Sequence, residues 1–388
     1  MGSRAPRRVT DTDRPARLLH LHSSFSLGGK EARATRLMNL MGPRARHTIL
    51  SAVPDALGAR NAIDPAISVE FPGDAAPVLY GRPGLARYRA LADYMKQFDL
   101  VLSYNWGSMD GVMAHRLFAT FRDLPPLIHH EDGFNEDETV RRDWKRNAFR
   151  RIALTTADAL VVPSVMLQHI AATEWGAQRR TRLIRNGIDI AAYVGAPSVE
   201  IPGLAKRADE VVIGTVAGLR KVKDLPRLVR AKASLPDHVR LVIVGEGSER
   251  RAIETSACGQ PKRLVMPGFM ANPSNWIGHF DILALSSQSE QAPIAVIEAM
   301  AAGLPVASPD VGDIAAMVSE ENRPFIAADE EGFRAALAAL VSDPALRRSV
   351  GEANRRVAAE RFDESTMVAA YENLYGRALA GRRLFSGD

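Results

Sequence analysis

At 388 residues the chain is long enough for two domains, because single hydrophobic cores stop growing near ~250–300 residues. Its composition is that of a globular protein, and the single cysteine, Cys258, excludes an internal disulfide, which fits a reducing cytoplasm. The net charge of +5 indicates an anionic partner, such as a nucleotide or a phospholipid surface. Dispersed basic residues without a zinc-finger or RNA-binding pattern argue against nucleic acid.

Short apolar runs alternate with helix-like stretches from end to end, after an arginine-rich tail at residues 1–16 that we expect to be disordered. No run is long enough to span a membrane, and the start of the chain lacks the apolar stretch of a signal peptide. The runs are 17–22, 47–53, 67–71, 100–104, 126–130, 159–163 and 183–185, then 211–216, 239–244, 263–266, 282–285, 305–308 and 325–327.

Valine- and isoleucine-rich runs separated by helices predict an α/β protein with parallel sheets. Six or seven strands on each side of a stretch rich in proline, glycine and alanine predict two doubly wound, Rossmann-like domains, at residues 17–195 and 196–365. Residues 366–388 are expected to form a C-terminal helix that packs back on the N-terminal domain.

Polar residues follow several strands of the first half, where parallel sheets bind ligands. Gly28 and Gly29 open a helix and would let backbone approach an anionic ligand, although a plain tight turn explains them equally well. His129 and His130 point to opposite faces of their strand, so hydrogen bonding to a sugar or a loop is favoured over a metal site. Further candidates near the substrate are His22, for which a core or loop-anchoring role is an equal alternative, and Tyr104, Asn105, Trp106, Glu131 and Asp132.

A basic helix predicted at residues 140–152 carries Trp144 and Phe149 among six lysines and arginines. Such a helix is either solvated or lies on an anionic membrane surface.

Cations follow the first strand of the second half. Arg220, Lys221 and Lys223 would neutralise a diphosphate or form a solvated loop, and we favour Arg220 and Lys223 as ligands. The nearby Gly245-Glu246-Gly247 lacks the third glycine of a dinucleotide fingerprint and is interpreted as a structural turn.

Glu298 is the one charged residue in an otherwise apolar helix that starts at Pro293 and stops before Gly303. Burial of a carboxylate costs several kcal/mol unless a group hydrogen-bonds to it, so a partner is required. Glu290 lies just outside the same helix. The two carboxylates therefore bracket the positive end of a helix, which favours phosphate.

Together these residues resemble the retaining glycosyltransferases of family 4. The resemblance covers about residues 17 to 380. It includes Glu290 and Glu298, which are separated by seven residues, and the following Val311-Gly312-Asp313. The other matching segments are Gly28-Gly29-Lys30-Glu31, Arg185-Asn186-Gly187-Ile188-Asp189, Gly214-Thr215-Val216-Ala217 with Arg220 and Lys223, Pro267-Gly268-Phe269, and the ending with Arg361, Phe362, Tyr371 and Tyr375.

The resemblance implies the GT-B fold, in which two Rossmann-like domains face each other across a cleft, and a nucleotide-sugar donor with no metal or other cofactor. It implies that Glu298 binds the ribose and Glu290 the donor sugar, with Ala292, Pro293, Ile294 and Ala295 also at the donor. Arg220, Lys223 and Gly29 would stabilise the departing diphosphate, whose phosphate takes the acceptor proton. His130 is a further catalytic candidate.

The sequence departs from the commoner family pattern at three places. Gly218 stands where an arginine is frequent, Gln291 and Ala292 replace a glycine-containing pair, and the histidine loop is His129-His130-Glu131-Asp132.

We therefore predict a cytoplasmic enzyme, peripheral at the inner membrane face or free of it, that transfers sugar from a UDP- or GDP-sugar to a glycan or glycolipid in cell-surface polysaccharide assembly. The alternatives are a nucleotide-sugar hydrolase or epimerase on the same fold and a non-catalytic nucleotide-sugar binding protein.

Overall fold

A computed structural model describes residues 14–26, 28–82, 84–134, 138, 142–257 and 263–385. Two compact units divide the chain. The first contains the described parts of Met1–His130, Ala148–Val161 and Ala370–Asp388, and the second contains those of Glu131–Asn147 and Val162–Ala369. Most of the predicted disordered tail, including residues 1–13, lies outside the described residues. Arg14 is held by Asp99 through two hydrogen bonds of 2.6 and 2.8 Å, so that order begins before the predicted boundary at residue 17.

The first unit is built on a parallel sheet with the strand order β3-β2-β1-β4-β5-β6. From β1 the chain moves outward to β2 and β3, then returns to add β4 on the other side of β1. The strands are β1 (Ala16–His22), β2 (Ala45–Ser51), β3 (Val69–Glu70), β4 (Leu100–Tyr104), β5 (Leu127–His130) and β6 (Ala159–Val162). The helices are α1 (Gly29–Met41), α2 (Leu85–Met95), α3 (Met109–Phe118) and part of α4 (Trp144–Ala153).

The second unit repeats this plan in a six-stranded parallel sheet with the order β10-β9-β8-β11-β12-β13. Its strands are β8 (Val211–Val216), β9 (Val239–Val244), β10 (Leu264–Gly268), β11 (Ile282–Ala284), β12 (Val306–Pro309) and β13 (Ile326–Ala327), and the short β7 (Thr181–Leu183) precedes them. The helices are α5 (Val165–Thr173), α6 (Leu225–Ala233), α7 (Arg250–Ser256), α8 (Ile294–Ala301), α9 (Ile314–Met317), α10 (Glu330–Ser342), α11 (Pro344–Arg361) and α12 (Glu364–Ala378), whose last nine residues belong to the first unit.

Both faces of the second sheet are covered. Successive residues of β8 enter opposite cores: Val212 packs with α8 on one side, while Val211 and Ile213 pack with α6 and α10 on the other. This alternation is why the strands read as continuous apolar runs rather than as alternating polar and apolar residues.

The predicted α/β class with two parallel sheets is confirmed. Strand limits differ by a few residues: the run 183–185 becomes Thr181–Leu183, and the run 305–308 becomes Val306–Pro309. Such shifts at element ends are ordinary.

In both sheets the order of chain connection reverses beside the central strand. The reversal lies between β1 and β4 in the first unit and between β8 and β11 in the second. Open α/β sheets bind ligands in the crevice beyond the carboxyl ends of strands at such a point. The loops that follow β8 and β11 are therefore where the second unit is expected to bind a ligand.

Candidate functional site

Helix α8 presents one open face. The helix begins at Ile294, one residue after the predicted start, with Pro293 as its N-cap residue, and it ends at Ala301, before Gly303 with φ of 76°. The helix is not buried on every side as its composition suggests. The buried residues are Val296, Ile297, Ala299, Met300 and Ala301. The half-buried Ile294, Ala295 and Glu298 share the remaining face, because residues three and four apart are neighbours on a helix.

Glu298 has a protein partner that the sequence did not reveal. The phenol of Tyr193 donates a hydrogen bond of 3.1 Å to Glu298 Oε1. Burial raises the pKa of Glu298 to about 7, and the Tyr193 hydrogen bond acts in the opposite direction. The carboxylate is thus half ionised near neutral pH.

Glu290 is held by a cation and a hydroxyl. Lys223 Nζ donates to Glu290 Oε1 at 2.5 Å, and Ser287 Oγ donates to the same oxygen at 2.7 Å. The side chains of Glu290 and Lys223 are only 9% and 16% exposed, so water screens this ion pair weakly. The structure therefore brings two predicted site residues, one from each loop at the sheet reversal, into direct contact.

Backbone contacts fasten these loops to each other. Gln288 N donates to Val222 O at 2.9 Å, and Ser286 Oγ donates to Lys223 O at 2.9 Å. The loop after β12 joins them at Gly312, whose φ is 63° and where an added Cβ would lie 2.3 Å from the Glu290 carbonyl oxygen. Only glycine fits this close approach.

Arg220 differs from Lys223 in its surroundings. It is exposed, and its side chain forms no hydrogen bond or ion pair with any residue that the structure describes. The loop beneath it is fixed by the Gly245 turn: a Cβ on Gly245 would lie 1.9 Å from Ala217 O, and one on Gly247 would lie 2.4 Å from Leu219 O. The two glycines thus support the cationic loop, in line with their interpretation as a structural turn.

The Asn186 segment sets the position of Tyr193. Asn186 is 7% exposed and donates from Nδ2 to the carbonyl oxygen of Ala292 at 2.9 Å. Ile188 forms a parallel bridge with Asp363, and Asp189 Oδ1 accepts from Ala192 N at 3.3 Å in the 3₁₀ turn Ile190–Tyr193. These contacts hold the turn that ends at Tyr193. Sequence analysis did not identify this tyrosine as a site residue.

In the first unit, Gly28 and Gly29 lie at the N-terminus of α1, as predicted. Gly28 is the N-cap residue and has an extended backbone, and a glycine has no side chain that could cap the helix. Glu31 is buried and faces this end, since an added Cβ on Gly28 would be 3.0 Å from Glu31 Oε2. Lys30 forms an ion pair with Glu31. The helix end is thus next to one carboxylate and one ammonium group.

Three predicted substrate residues form a buried ring stack in the first unit. The rings of His22 and Tyr104 are 4.2 Å apart, and those of Tyr104 and His130 are 4.6 Å apart. His130 Nε2 lies 3.1 Å from Tyr375 Oη and its Nδ1 lies 3.2 Å from the Ser103 carbonyl oxygen. Burial lowers the pKa of both histidines well below the usual range, so both rings are neutral at pH 7.

The other predicted substrate residues differ in exposure. His129 is buried with Nδ1 2.9 Å from Ser103 Oγ, and Glu131 is buried as well. Asn105, Trp106 and Asp132 are half-buried. Trp106 packs under the Arg150 guanidinium, 4.9 Å from the ring centroid. This tryptophan is therefore partly engaged with α4.

Helix α4 is less uniformly basic at its surface than its sequence suggests. Arg150 is buried, Arg146 pairs with Glu138 at 3.0 Å, and Arg142, two residues before the helix, pairs with Glu174. Trp144 and Ile152 are 70% and 55% exposed. The first residues of the predicted helix, Val140 and Arg141, lie outside the described residues, as does Cys258.

No helix within the described ranges is long and apolar enough to cross a membrane. The same part of the chain contains no group of three or more histidine, cysteine or acidic side chains arranged to hold a metal ion.

Two family models match this chain in succession. One, described as Glycosyltransferase Family 4, matches residues 27–192, and the other, described as Glycosyl transferases group 1, matches residues 199–357. Together they cover most of the two units.

Curated relatives match over part of their length. Lipopolysaccharide core biosynthesis glycosyltransferase LpsD of Rhizobium meliloti is 29% identical over 191 residues, which are 48% of this chain and 55% of that protein. N-acetyl-alpha-D-glucosaminyl L-malate synthase of Bacillus anthracis is 27% identical over 172 residues, which are 43% of this chain and 45% of that protein. The chain thus spans about half the length of these two relatives.

Solved structures match over nearly the whole chain. Anabaena Alr3699/HepE in complex with UDP-glucose has a TM-score of 0.75 at 20% identity and covers 93% of this chain and 100% of its own. WaaG, a glycosyltransferase involved in lipopolysaccharide biosynthesis, has a TM-score of 0.67 at 18% identity, with coverage of 93% and 100%. These similarities confirm the predicted GT-B fold.

Proposed function

Because the chain belongs to glycosyltransferase family 4, we propose that it is a retaining, metal-independent enzyme that transfers a sugar from a UDP- or GDP-sugar to a glycan or glycolipid. The observation that carries this proposal is the meeting of Glu290, Lys223 and the open face of α8 at the reversal of the second sheet. UDP is favoured as the nucleotide, since the similar Alr3699/HepE was solved with UDP and with UDP-glucose.

The donor is proposed to lie along α8. Glu298 accepts hydrogen bonds from the ribose hydroxyls, and Glu290 accepts them from the sugar. Pro293 and Glu298 are five residues apart, roughly 7–8 Å of helix rise, which is the scale of a ribose and its phosphates. The diphosphate then lies at the helix N-terminus, beside Ala292, Pro293, Ile294 and Ala295, where backbone N–H groups favour anions.

Arg220 and Lys223 are proposed to stabilise the leaving diphosphate. Arg220 is exposed, and the ammonium of Lys223 has three N–H donors, so Lys223 can keep its bond to Glu290 while it binds a phosphate oxygen. The acceptor oxygen attacks the anomeric carbon as the bond to the diphosphate breaks, and a phosphate oxygen of the leaving group takes the acceptor proton. The rate is raised because the negative charge that develops on the diphosphate is stabilised in a site with little water.

The residues proposed to contact the acceptor are His22, Tyr104, Asn105, Trp106 and the segment 129–132. His130 is kept neutral by burial, and its ring nitrogens lie against the Ser103 carbonyl oxygen and Tyr375 Oη, so its proposed role there is not that of a cation. The relatives' roles in lipopolysaccharide synthesis support a role in cell-surface polysaccharide assembly in the cytoplasm, with α4 as the candidate contact with an anionic inner membrane face.

Donor binding tests this proposal directly. Thermal shift with UDP-, GDP-, ADP- and CMP-sugars identifies the nucleotide, because a ligand that binds only the folded state raises its stability. Glu298→Gln is expected to weaken donor binding about tenfold or more, as expected for the loss of a charged hydrogen-bond acceptor. Glu320→Gln, at a carboxylate that is 77% exposed, is the matched control. Unchanged donor affinity in Glu298→Gln contradicts the ribose assignment.

Product analysis separates transfer from the alternatives. Release of free sugar without an acceptor indicates a hydrolase, a changed donor sugar indicates an epimerase, and binding without turnover indicates a non-catalytic protein. Transfer with retained anomeric configuration in the presence of EDTA is the expected result.

A further inference from the structure

Tyr193 contacts the carboxylate of Glu298 directly. It ends the 3₁₀ turn Ile190–Tyr193, its ring packs against the apolar core that contains Val296 and Ile297, and its hydroxyl donates to Glu298 Oε1 at 3.1 Å. Both side chains are half-buried. No other described residue forms a hydrogen bond with the Glu298 carboxylate.

We infer that Tyr193 is a positioning residue for nucleotide binding, which orients the Glu298 carboxylate to accept the ribose hydroxyls. This inference rests on the proposed function. It concerns a residue that touches Glu298 and not the reacting atoms.

The geometry leaves room for both partners. An ionised carboxylate offers about four lone-pair positions, of which Tyr193 uses one on Oε1. The remaining positions are sufficient for the two hydroxyls of a ribose. A protonated carboxyl group would offer fewer acceptor positions and a donor in their place, so nucleotide affinity should follow the ionised fraction of Glu298.

Among the described side chains, Tyr193 is the one that forms a hydrogen bond with the Glu298 carboxylate. Burial raises the pKa of Tyr193, and the charges of Glu298 and of Asp189, which precedes the same turn, act in the same direction. Arg355 of α11 is bonded to the Ala302 carbonyl oxygen, 3.0 Å away at the far end of α8, and His279 of the turn Ile277–His279 is bonded to the Val199 carbonyl oxygen. Strand β12 carries no charged residue. The nearby carboxylate of Glu290 is paired with Lys223, and Arg361 of α11 bonds to the Ala316 carbonyl oxygen.

The opposing effects on Glu298 give the direction of the expected change. Burial raises the pKa of this carboxyl group to about 7, and the Tyr193 hydrogen bond restrains that rise because it stabilises the ionised form. Loss of the phenol hydroxyl therefore raises the pKa further. A rise of about one unit would lower the ionised fraction at pH 7 from about one half to about one tenth.

The test is UDP affinity by calorimetry between pH 5.5 and 9 in the full chain. Tyr193→Phe keeps the ring and removes the hydroxyl. Its affinity is expected to fall about fivefold at pH 7 and to approach the wild-type value at pH 9, because its inflection moves to higher pH. A role in packing alone would change thermal stability but leave the pH profile in place.

Controls separate this inference from the proposed function. Tyr88→Phe removes a similar tyrosine-carboxylate hydrogen bond, 3.0 Å long to Asp110, in the first unit and should leave the UDP profile unchanged. In Glu298→Gln the inflection near neutral pH should disappear, and adding Tyr193→Phe to it should restore no inflection. A wild-type protein that binds no UDP, or a Glu298→Gln variant with wild-type affinity, contradicts the proposed function.

The Tyr193 inference is overturned if wild type and Glu298→Gln behave as expected while Tyr193→Phe keeps the wild-type profile. Should Tyr193→Phe not fold, 3-fluorotyrosine at position 193 replaces it. This stronger hydrogen-bond donor is expected to move the inflection to lower pH, and an unchanged inflection overturns the inference.

Discussion

Glu290 and Lys223 each have a structural role and a proposed functional role. Each compensates the charge of the other in a place with little water, and each is also proposed to bind the donor. A buried ion pair is costly to break on one side only, because the remaining charge is left without its partner. Stability should therefore differ between the single and the double variant of this pair, whereas activity should be lost in both.

We predict that Lys223→Met lowers the free energy of unfolding by ~1–3 kcal/mol, the cost of leaving a largely buried charged group unsatisfied. The double variant Lys223→Met, Glu290→Gln should recover part of that loss, since the uncompensated charge is gone. Urea unfolding measures both. Transfer activity should be absent or strongly reduced in the single and the double variant alike, and recovery of activity with stability would argue against a direct role at the donor.

The buried histidines of the first unit predict an acid-sensitive fold. Burial, together with neighbouring charges for some of them, holds the pKa of His20, His22 and His130 well below the usual range and lowers that of His47 to about 4. The unfolded chain therefore binds protons first. The contribution of these neutral histidines to the free energy of unfolding is fully present above about pH 6.5. It falls as the pH drops below that value, by up to ~1.4 kcal/mol per pH unit for each such histidine.

His22→Phe tests this sensitivity. The ring nitrogens of His22 form no hydrogen bond with any residue that the structure describes, so phenylalanine leaves no neighbouring group unpaired. Urea unfolding at pH 8, 6.5 and 5.5 should give a shallower loss of stability for the variant than for wild type. Parallel pH profiles would show that His22 does not contribute to the acid sensitivity.

At the scale of elements, α8 is positioned by close packing of backbone. A Cβ added to Gly351 of α11 would lie 1.9 Å from the carbonyl oxygen of Gly303, just after α8. An exposed helical glycine gains about 1 kcal/mol on replacement by alanine, but here the clash with backbone exceeds that gain. The end of α8 therefore depends on a glycine in a helix that is distant in sequence.

We accordingly predict that Gly351→Ala lowers the free energy of unfolding by ~1–3 kcal/mol. Gly84→Ala is the matched control, because no atom of the described residues beyond its chain neighbours lies within 4 Å of the added Cβ and the backbone of Gly84 is extended. Thermal unfolding compares the two. Equal stability of both variants would mean that α11 can shift away from the end of α8 without lowering the free energy of unfolding.

At the scale of the whole molecule, the proposed donor contacts are concentrated in the second unit. The loops after β8, β11 and β12 converge there, while the first unit carries the histidine stack and the N-terminus of α1. A nucleotide alone should thus affect the second unit first.

Hydrogen exchange with and without UDP measures this distribution. We expect added protection in residues 218–224, 286–302 and 310–313, since ligand binding opposes local opening of the elements that it contacts. The largely buried strand β2 of the first unit serves as the internal reference. Protection confined to the first unit would contradict the placement of the nucleotide on α8.

Much of this architecture could be predicted because strand and helix signals are local. Apolar runs, Pro293 and Gly303 marked the elements, and the spacing of Glu290 and Glu298 placed both carboxylates at one helix end. The contacts of these residues could not be predicted in the same way. Lys223 and Glu290 are 67 residues apart and Tyr193 and Glu298 are 105 apart, so only the strand order of the folded sheet brings them together.

By itself, the sequence determined the α/β class, the family resemblance and the residue types available for a nucleotide sugar, because these depend on periodicity and on motifs within short segments. The tertiary structure alone decided which charges are compensated and which stay available. Burial and partner atoms come from segments distant in sequence, and they set the pKa of Glu298, the pairing of Lys223 and the neutrality of His130.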